Sequence, residues 1–214
     1  MTLALGVLVS GSGTNLGSIL RAVAEGRLDA RVKLVVSNRP TAGGLERARA
    51  AGVPVAVVES RSHGSREAFD GALVERLRDA SVEWVVLAGF MRVVTPVLLD
   101  AFPDRVINIH PALLPAFPGV DAQKQALEHG VKVTGCTVHF VDRGVDTGPI
   151  IAQRAVPVLD GDDRESLAAR ILVAEHELLV ATLHAIAERR VVLEPASGAS
   201  SGDRRRRVRL LDSR

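Results

Sequence analysis

The sequence predicts an α/β protein with a doubly wound, mostly parallel central sheet, an antiparallel C-terminal extension and a long C-terminal helix. Three observations predict this fold. Short runs rich in Val, Leu and Ile alternate with helical patterns over the first half of the chain, residues 134–141 alternate in polarity, and residues 164–189 follow one helical period. Continuous apolar runs are typical of parallel strands buried on both faces, whereas alternation is typical of antiparallel strands with one exposed face.

The predicted elements follow one another in a regular order. The apolar runs that are too short for helices are predicted as strands, at residues 3–9, 32–37, 54–58, 83–88 and 106–109. Helical patterns, several opened by Ser, Thr or Pro, lie between them at residues 14–25, 43–51, 65–79 and 95–101. Two further strands, at residues 134–141 and 150–158, extend the sheet, and the long helix packs its apolar face back onto the core.

One domain accounts for most of the chain, because 214 residues are enough to bury a substantial core. We expect this domain to span residues 1–193, followed by a flexible Ser/Gly linker and Arg-rich tail at residues 194–214. The tail explains the net charge of +2, since residues 203–214 hold six arginines and two aspartates, and the rest has 21 basic and 23 acidic residues. This pattern indicates a solvated terminus and no specific nucleic-acid partner.

The only cysteine is Cys136, which excludes an internal disulfide and a multi-cysteine metal site and favours a reducing compartment. The first ten residues lack the basic segment of a signal peptide and are predicted as a strand. No apolar run reaches the roughly 18 residues of a membrane-spanning helix. We therefore expect a cytoplasmic protein that does not enter a membrane.

The fifth predicted strand runs into two polar side chains, Asn108 and His110. They are two residues apart, so in an extended strand they project to the same side, opposite Ile107 and Ile109. Pro111 stops the ladder from continuing. An amide and an imidazole side by side offer two donors to one oxygen, which suits an acyl carbonyl becoming an oxyanion. The alternative is that both side chains merely satisfy local backbone groups.

A glycine-rich loop, residues 10–17, follows the first strand and opens the first helix. The exposed amides of Gly13, Thr14 and Asn15 at a helix N-terminus suit a phosphate. A dinucleotide site is a rival, but the third glycine comes one residue late and the second strand ends without an acidic residue for a ribose. Arg39 keeps NADP open, while the lysine of a triphosphate-binding loop is missing. A single phosphate is favoured over these sites and over an ordinary capped turn.

Two further loops are expected at the carboxyl ends of strands, where such sheets bind ligands. Gly89 ends the fourth strand, so a planar ligand could approach the backbone there, against an apolar wall formed by Phe90, Met91 and Val94. A glycine-flanked turn after the sixth strand carries two aspartates. We expect Asp142 to cap backbone amides of that turn. Asp146 is expected near His110, where a carboxylate favours the charged, donating form of an imidazole.

These motifs together resemble the phosphoribosylglycinamide formyltransferases, a folate-dependent family of purine synthesis. The segments that carry the resemblance are 11–15, 88–92, 108–119, 137–139 and 146–149, and they arrive in order between about residues 3 and 190. The Asn-x-His strand with a later Asp resembles the wider formyltransferase superfamily. The Gly-Ser-Gly-Thr-Asn loop resembles the branch that acts on glycinamide ribonucleotide. The resemblance implies a Rossmann-like formyltransferase fold.

The resemblance also implies a reaction, in which the formyl group of 10-formyltetrahydrofolate is transferred to the amine of 5′-phosphoribosylglycinamide (GAR). Asn108 and protonated His110 would hold the tetrahedral oxyanion. Asp146 would keep His110 charged and help to pass a proton, through water, to the leaving folate nitrogen. No metal is required, the expected partners are the two small-molecule substrates, and a homodimer is left open.

Substrate-binding residues are implied in the same way. Those for GAR are Gly13, Thr14, Asn15, Gly89, Pro111 and Glu175. Those for the folate are Arg66, Met91, Arg92, Val93, Val94, Asn108 and Val141. Glu175 has an alternative, because it lies in a polar helical run and could be solvated. Asp121 departs from the family pattern, since some relatives carry a histidine at this place.

Three alternatives share parts of the pattern. A methionyl-tRNA formyltransferase is expected to need a further C-terminal domain, which we do not expect in a sequence of 214 residues. A formyltetrahydrofolate hydrolase is expected to carry an N-terminal regulatory domain, which we do not expect because the first predicted strand begins at residue 3. From another class, a noncatalytic nucleotide-binding module would keep the fold alone. The presence of Asn108, His110 and Asp146 argues against such a module.

Overall fold

The computed structural model describes residues 2–195 and 206–212. The chain divides into two compact units, Met1–Ile109 and His110–Arg214. Of the predicted linker and tail, residues 196–205 and 213–214 lie outside the described residues. No helix in the described ranges is long and apolar enough to cross a membrane.

In the first unit, strands and helices alternate. The strands are β1 (Leu3–Val9), β2 (Ala30–Ser37), β3 (Val55–Val57), β4 (Trp84–Leu87) and β5 (Val106–His110), whose last residue opens the second unit. The helices are α1 (Thr14–Ala24), α2 (Gly43–Ala50), α3 (Arg66–Asp79) and α4 (Pro96–Ala101), with a short 3-10 turn at Ser60–Ser62. These five strands are parallel and lie side by side in the order β3-β2-β1-β4-β5.

Strand β1 forms the middle of this unit. It pairs with β2 on one side and β4 on the other, and Leu5, Val7 and Leu8 are fully buried. Helices α1 and α3 supply further fully buried side chains, among them Leu16 and Leu73. The chain proceeds from β1 to β2 and β3, then returns to continue with β4 and β5. The strand order therefore reverses between β1 and β4, where open α/β sheets bind their ligands.

The second unit has an antiparallel pair and one long helix. Its elements are α5 (Ala122–Glu128), β6 (Val133–Phe140), β7 (Ile150–Pro157), α6 (Arg164–Ala187), β8 (Val191–Pro195) and β9 (Arg206–Leu210). Strands β6 and β7 pair antiparallel, and α6 packs on both of them. A capping box starts α6, because the Asp163 side chain accepts from the Ser166 N–H and the Ser166 hydroxyl accepts from the Asp163 N–H. Its fully buried side chains are Leu167, Ile171, Leu179 and Leu183.

The predicted fold class is confirmed, and three elements, α5, β8 and β9, were not predicted. Helix α5 was not predicted, since its seven residues are mostly polar. Residues 194–195 and 206–210, predicted as part of the flexible linker and tail, belong to strands β8 and β9, which pair with each other. The physical reason is Glu194 on β8, which forms ion pairs with Arg207 and Arg209, so charged side chains here stabilise a cross-strand pair. A domain boundary at residue 193 stays a prediction.

Two glycines in regular elements differ in the space around them, which gives a matched pair of variants. A Cβ on Gly135 of β6 would lie 2.0 Å from the Arg154 carbonyl oxygen on β7, whereas a Cβ on Gly71 of α3 would meet nothing within 4 Å. We expect Gly135→Ala to lower the free energy of unfolding by about 1–3 kcal/mol because the strands must move apart.

Gly71→Ala should raise the free energy of unfolding by about 0.5–1 kcal/mol, since alanine loses less backbone entropy in a helix. Urea denaturation followed by circular dichroism measures both values. An unchanged midpoint for Gly135→Ala would contradict the tight pairing of β6 with β7.

Candidate active site

The loop after β1 brings backbone N–H groups to the start of α1. Gly13 is the N-cap of α1 and has a left-handed conformation with φ of 70°. A Cβ on Gly13 would lie 2.4 Å from the Cα of Gly44. The Gly44 N–H donates to the Gly11 carbonyl at 3.0 Å. Only glycine therefore permits the loop to pass this close to the start of α2.

The start of α1 suits an anion. The first N–H groups of a helix have no partner within the helix, and the helix dipole is positive there. The first turn of α1 contains no acidic side chain. Arg47 adds positive charge beside the loop, because its Nε donates to the Ser12 carbonyl at 2.8 Å. Thr14 and Asn15, both predicted to hold a phosphate, begin this helix.

The loop after β4, residues 89–94, exposes two apolar side chains. Met91 is 63% exposed and Val93 is 46% exposed, whereas Phe90 and Val94 are buried. The expected wall of Phe90, Met91 and Val94 is therefore wrong for Phe90 and Val94, and Met91 presents its side chain to solvent together with Val93. Gly89 itself has φ of 73°, a conformation that glycine adopts without strain.

An aromatic pair joins the 89–94 loop to helix α3. The Phe90 ring stacks on Phe69 of α3 with centroids 6.4 Å apart and an interplanar angle of 9°. The guanidinium carbon of Arg92 lies 5.7 Å from the centroid of the Phe69 ring, within the range of a cation–π contact. Arg66, predicted to contact the folate, is an exposed residue at the start of α3, directly after the N-cap Ser65.

The predicted catalytic strand exists as β5. Asn108 is half-buried and opposite Leu87 of β4, and Ile107 and Ile109 on the other face are buried. Asn108 belongs to the first unit, and His110 and Pro111 belong to the second. The alternation expected from the sequence is therefore present along β5, with the two polar side chains on one face.

In the second unit, His110 and Asp146 lie side by side. His110 is buried, and its Nδ1 is 3.4 Å from Oδ2 of Asp146. Its Nε2 donates to the carbonyl oxygen of Phe117 at 2.9 Å. The expected pairing with the carboxylate is present. The sequence did not predict that the Phe117 carbonyl would hold the other ring nitrogen.

The Asp146 carboxylate has two further neighbours. Its Oδ2 accepts a hydrogen bond from the Gly119 N–H at 2.8 Å, and its Oδ1 lies 3.7 Å from Nε2 of His139. His139 donates through Nδ1 to the Phe140 carbonyl at 2.8 Å. Burial lowers the pKa of His139, although the Phe140 carbonyl and Asp146 oppose this effect. The sequence did not predict the place of His139 beside Asp146, although segment 137–139 was among the matching motifs.

Three residues around this cluster have left-handed backbones without being glycine. They are Phe117, Asp121 and Asp146, with φ of 55°, 56° and 55°. Such conformations carry strain and persist where the surroundings hold them, often in functional loops. Asp121, where some relatives carry a histidine, accepts from Nε of Arg164 at 2.7 Å. Its carboxylate therefore ties the start of α5 to α6.

The turn after β6 contains two further residues that the sequence singled out, Val141 and Asp142. Asp142 caps its turn as expected, since its Oδ1 accepts from the Gly144 N–H and from the Thr147 hydroxyl. Val141 is half-buried beside it.

Glu175 on α6 is 7% exposed, so the solvated alternative for this side chain is wrong. Burial of the Cys136 thiol and, to a smaller extent, the charge of Glu175 raise the pKa of that thiol to about 12. Cys136 is therefore a poor nucleophile.

The chemistry available in these groups is that of transfer to or from a carbonyl. The first unit offers a helix N-terminus for an anion and an exposed apolar loop, and β5 offers an amide followed by an imidazole with a carboxylate beside it. Among the described residues, no group of three or more His, Cys, Asp or Glu could hold a metal ion. Fold and side chains together define an α/β enzyme of the group-transfer class.

Comparison with known proteins identifies the family. Residues 4–183 match the formyl transferase family. The chain is 51% identical over 181 residues to the phosphoribosylglycinamide formyltransferase of Mycobacterium tuberculosis (strain CDC 1551 / Oshkosh), covering 85% of this chain and 83% of that protein. The crystal structure of glycinamide ribonucleotide transformylase 1 from Symbiobacterium toebii is similar with a TM-score of 0.92 at 55% identity, covering 99% of this chain and 95% of that one. This chain belongs to the formyl transferase family.

Longer relatives also contain the matching region. The chain is 49% identical over 172 residues to the trifunctional purine biosynthetic protein adenosine-3 of Drosophila melanogaster, which covers 79% of this chain. The aligned region spans only 13% of that protein's length. The likeness therefore concerns one part of a much longer chain.

The contact between Gly13 and Gly44 yields a prediction about anion binding. Gly13→Ala should abolish binding of inorganic phosphate at the start of α1, because the added Cβ meets the α2 backbone and the residue resists a positive φ. Calorimetric titration with phosphate measures the loss. Gly11→Ala is the matched control, since a Cβ there meets nothing within 4 Å, and equal weakening by both variants would contradict the assignment to this loop.

Proposed function

We propose that this chain transfers the formyl group of 10-formyltetrahydrofolate to the amine of GAR, giving formyl-GAR and tetrahydrofolate in purine biosynthesis. Membership of the formyl transferase family supports formyl transfer. Two relatives that the chain matches over most of their length, from Mycobacterium tuberculosis and Bacillus subtilis, are named phosphoribosylglycinamide formyltransferase. The observation that carries the choice of acceptor is the left-handed Gly13 at the start of α1, because GAR has a phosphate to place there.

In this proposal the two substrates use separate loops. The GAR phosphate binds the N–H groups of residues 13–15, and Gly89, Pro111 and Glu175 contact the rest of GAR. The folate lies against the 89–94 loop, where the exposed Met91 and Val93 offer apolar surface to the pterin. Arg66, Arg92, Val94, Asn108 and Val141 complete the folate site.

The chemical step is attack of the GAR amine on the formyl carbon. A C–N bond forms, the formyl oxygen becomes an oxyanion, and the bond to N10 of the folate then breaks. Asn108 donates to the oxyanion from β5, and His110 is the second donor. The amine proton passes to N10 with the help of Asp146, through water, so that both products leave neutral at nitrogen.

His110 must exchange a hydrogen bond to take this role. Its Nε2–H is held by the Phe117 carbonyl, and its Nδ1 faces Asp146. Because Asp146 must stay beside the ring, the oxyanion replaces the Phe117 carbonyl as the acceptor.

The other candidate reactions fit these groups less well. A hydrolase has no use for a phosphate site at the start of α1, and a nucleotide-binding module has no use for Asp146 between two histidines. Tetrahydrofolate as carrier, a cytoplasmic location, the absence of a membrane or nucleic-acid partner and a homodimer all stay predictions.

An acceptor assay tests the proposal. The purified protein is given 10-formyltetrahydrofolate with GAR, with initiator methionyl-tRNA, or with water as the only acceptor, and products are separated by mass. We expect formyl-GAR and no formylated tRNA. Product from tRNA or water without product from GAR would overturn the proposal.

Loss of the Asp146 charge should lower turnover sharply. We expect Asp146→Asn to reduce kcat by about 100- to 10,000-fold, the range typical of a lost acid–base group. Asp142→Asn is the matched control in the same turn, because that carboxylate caps Gly144 and Thr147 and has no hydrogen bond or ion pair with His110. Steady-state kinetics with GAR measures both variants, and equal kcat values for them would remove Asp146 from the mechanism.

A further inference from the structure

Ser10 joins three strand ends through one buried side chain and its own N–H. It follows β1 directly, precedes the glycine loop and is 3% exposed. Its hydroxyl donates to Oδ1 of Asn38, just after β2, at 2.6 Å. The same oxygen accepts from the Met91 N–H at 2.8 Å, and the Ser10 N–H donates to the Gly89 carbonyl at 3.0 Å.

The direction of these bonds fixes what Ser10 can do. A hydroxyl has one hydrogen, and here it is given to the Asn38 amide oxygen. The lone pairs are thereby left for the Met91 N–H. Asn38 thus orients the Ser10 hydroxyl, and Ser10 in turn holds the first residues of the 89–94 loop at two backbone positions.

The far end of the 89–94 loop is held in another way. The Thr95 N–H, at the start of α4, donates to Oδ2 of the Asp70 carboxylate on α3, and Asp70 is 1% exposed. Burial raises the pKa of Asp70, while the Thr95 hydrogen bond and the Arg66 charge oppose it. The loop is therefore fixed at both ends by buried side chains, but only Ser10 is continuous with the phosphate loop.

We propose that Ser10 is a positioning residue that couples the two substrates, so that GAR bound at residues 13–15 strengthens folate binding at the 89–94 loop. This inference rests on the proposed function. A bound phosphate restrains the backbone of the glycine loop, and through Ser10 the restraint reaches Gly89 and Met91. The first ligand offsets the entropy cost of ordering these loops, so the second ligand binds to loops that are already ordered. Linkage makes the effect reciprocal, so the folate strengthens GAR binding by the same factor.

Binding of tetrahydrofolate, with and without saturating GAR, measures the coupling, because this pair lacks a formyl group and cannot react. Calorimetry gives the two dissociation constants, and their ratio is the coupling factor. We expect a factor of about five or more in the unaltered protein. Ser10→Ala loses the bond to Met91 and keeps the backbone bond to Gly89, so the factor should fall at least twofold towards one. GAR alone should still bind, which also shows that the variant is folded.

Three further variants make the experiment decisive. Ser10→Thr keeps the hydroxyl and should restore the factor. Asp70→Asn loosens the other end of the loop, so it should weaken tetrahydrofolate equally with and without GAR and leave the factor intact. Ser166→Ala loses a hydroxyl that takes part in the α6 cap and should leave every dissociation constant unchanged.

The outcomes separate the two proposals. A normal coupling factor in Ser10→Ala, or a factor of one in the unaltered protein, would overturn the role of Ser10 while both ligands still bind. Failure of the unaltered protein to bind GAR at all would instead overturn the proposed function.

Discussion

The burial of β1 between β2 and β4 is the constraint on which the first unit depends. A strand that is paired on both edges and packed on both faces has no place for polar side chains, so Leu5, Val7 and Leu8 fill its interior. Polar groups can then begin only where the strand ends. The first of them is Ser10, and the glycine loop follows at once. The same argument applies to β4, whose apolar residues end at Leu87 and whose loop begins at Gly89. The position of the site is thus a consequence of how the core is built.

In the second unit, the Asp146 carboxylate is the group that the other site residues contact. Asp146 is half-buried beside two imidazoles, so hydrogen bonds must compensate for the water it loses, and the Gly119 N–H supplies one. The short aspartate side chain also places the carboxylate close to its own backbone, and that backbone is left-handed, a conformation in which aspartate is enriched. The strain at Asp146 and Phe117 is held by the contacts of the same cluster. The contacts of His110 with Phe117 and Asp146 therefore serve two purposes, because they hold the loop conformations and also orient the ring for its proposed catalytic role.

The sequence predicted the elements whose pattern is local and strong. Continuous apolar runs predicted β1 to β5, and one helical period predicted α6 almost to its ends. Helix α5 was missed because its seven residues carry a weak apolar pattern and it begins at a left-handed Asp121. Strand β9 was missed because a run of arginines is typical of a solvated tail, whereas here Glu194 of another strand compensates the charge. Both depend on partners distant in sequence, which a local pattern does not contain.

The candidate site shows the same division between residues and contacts. The residue types at Gly13, Asn108, His110 and Asp146 could be predicted because each has a chemical reason to interrupt an apolar or regular pattern. The Phe117 carbonyl on His110 could not, since it depends on one backbone angle in a loop. That contact gives the ring a defined orientation before any substrate is present, with the Nε2–H already aimed at an oxygen. An oxyanion that takes the place of the carbonyl meets a donor already oriented, and preorganisation of this kind is what makes such donors effective.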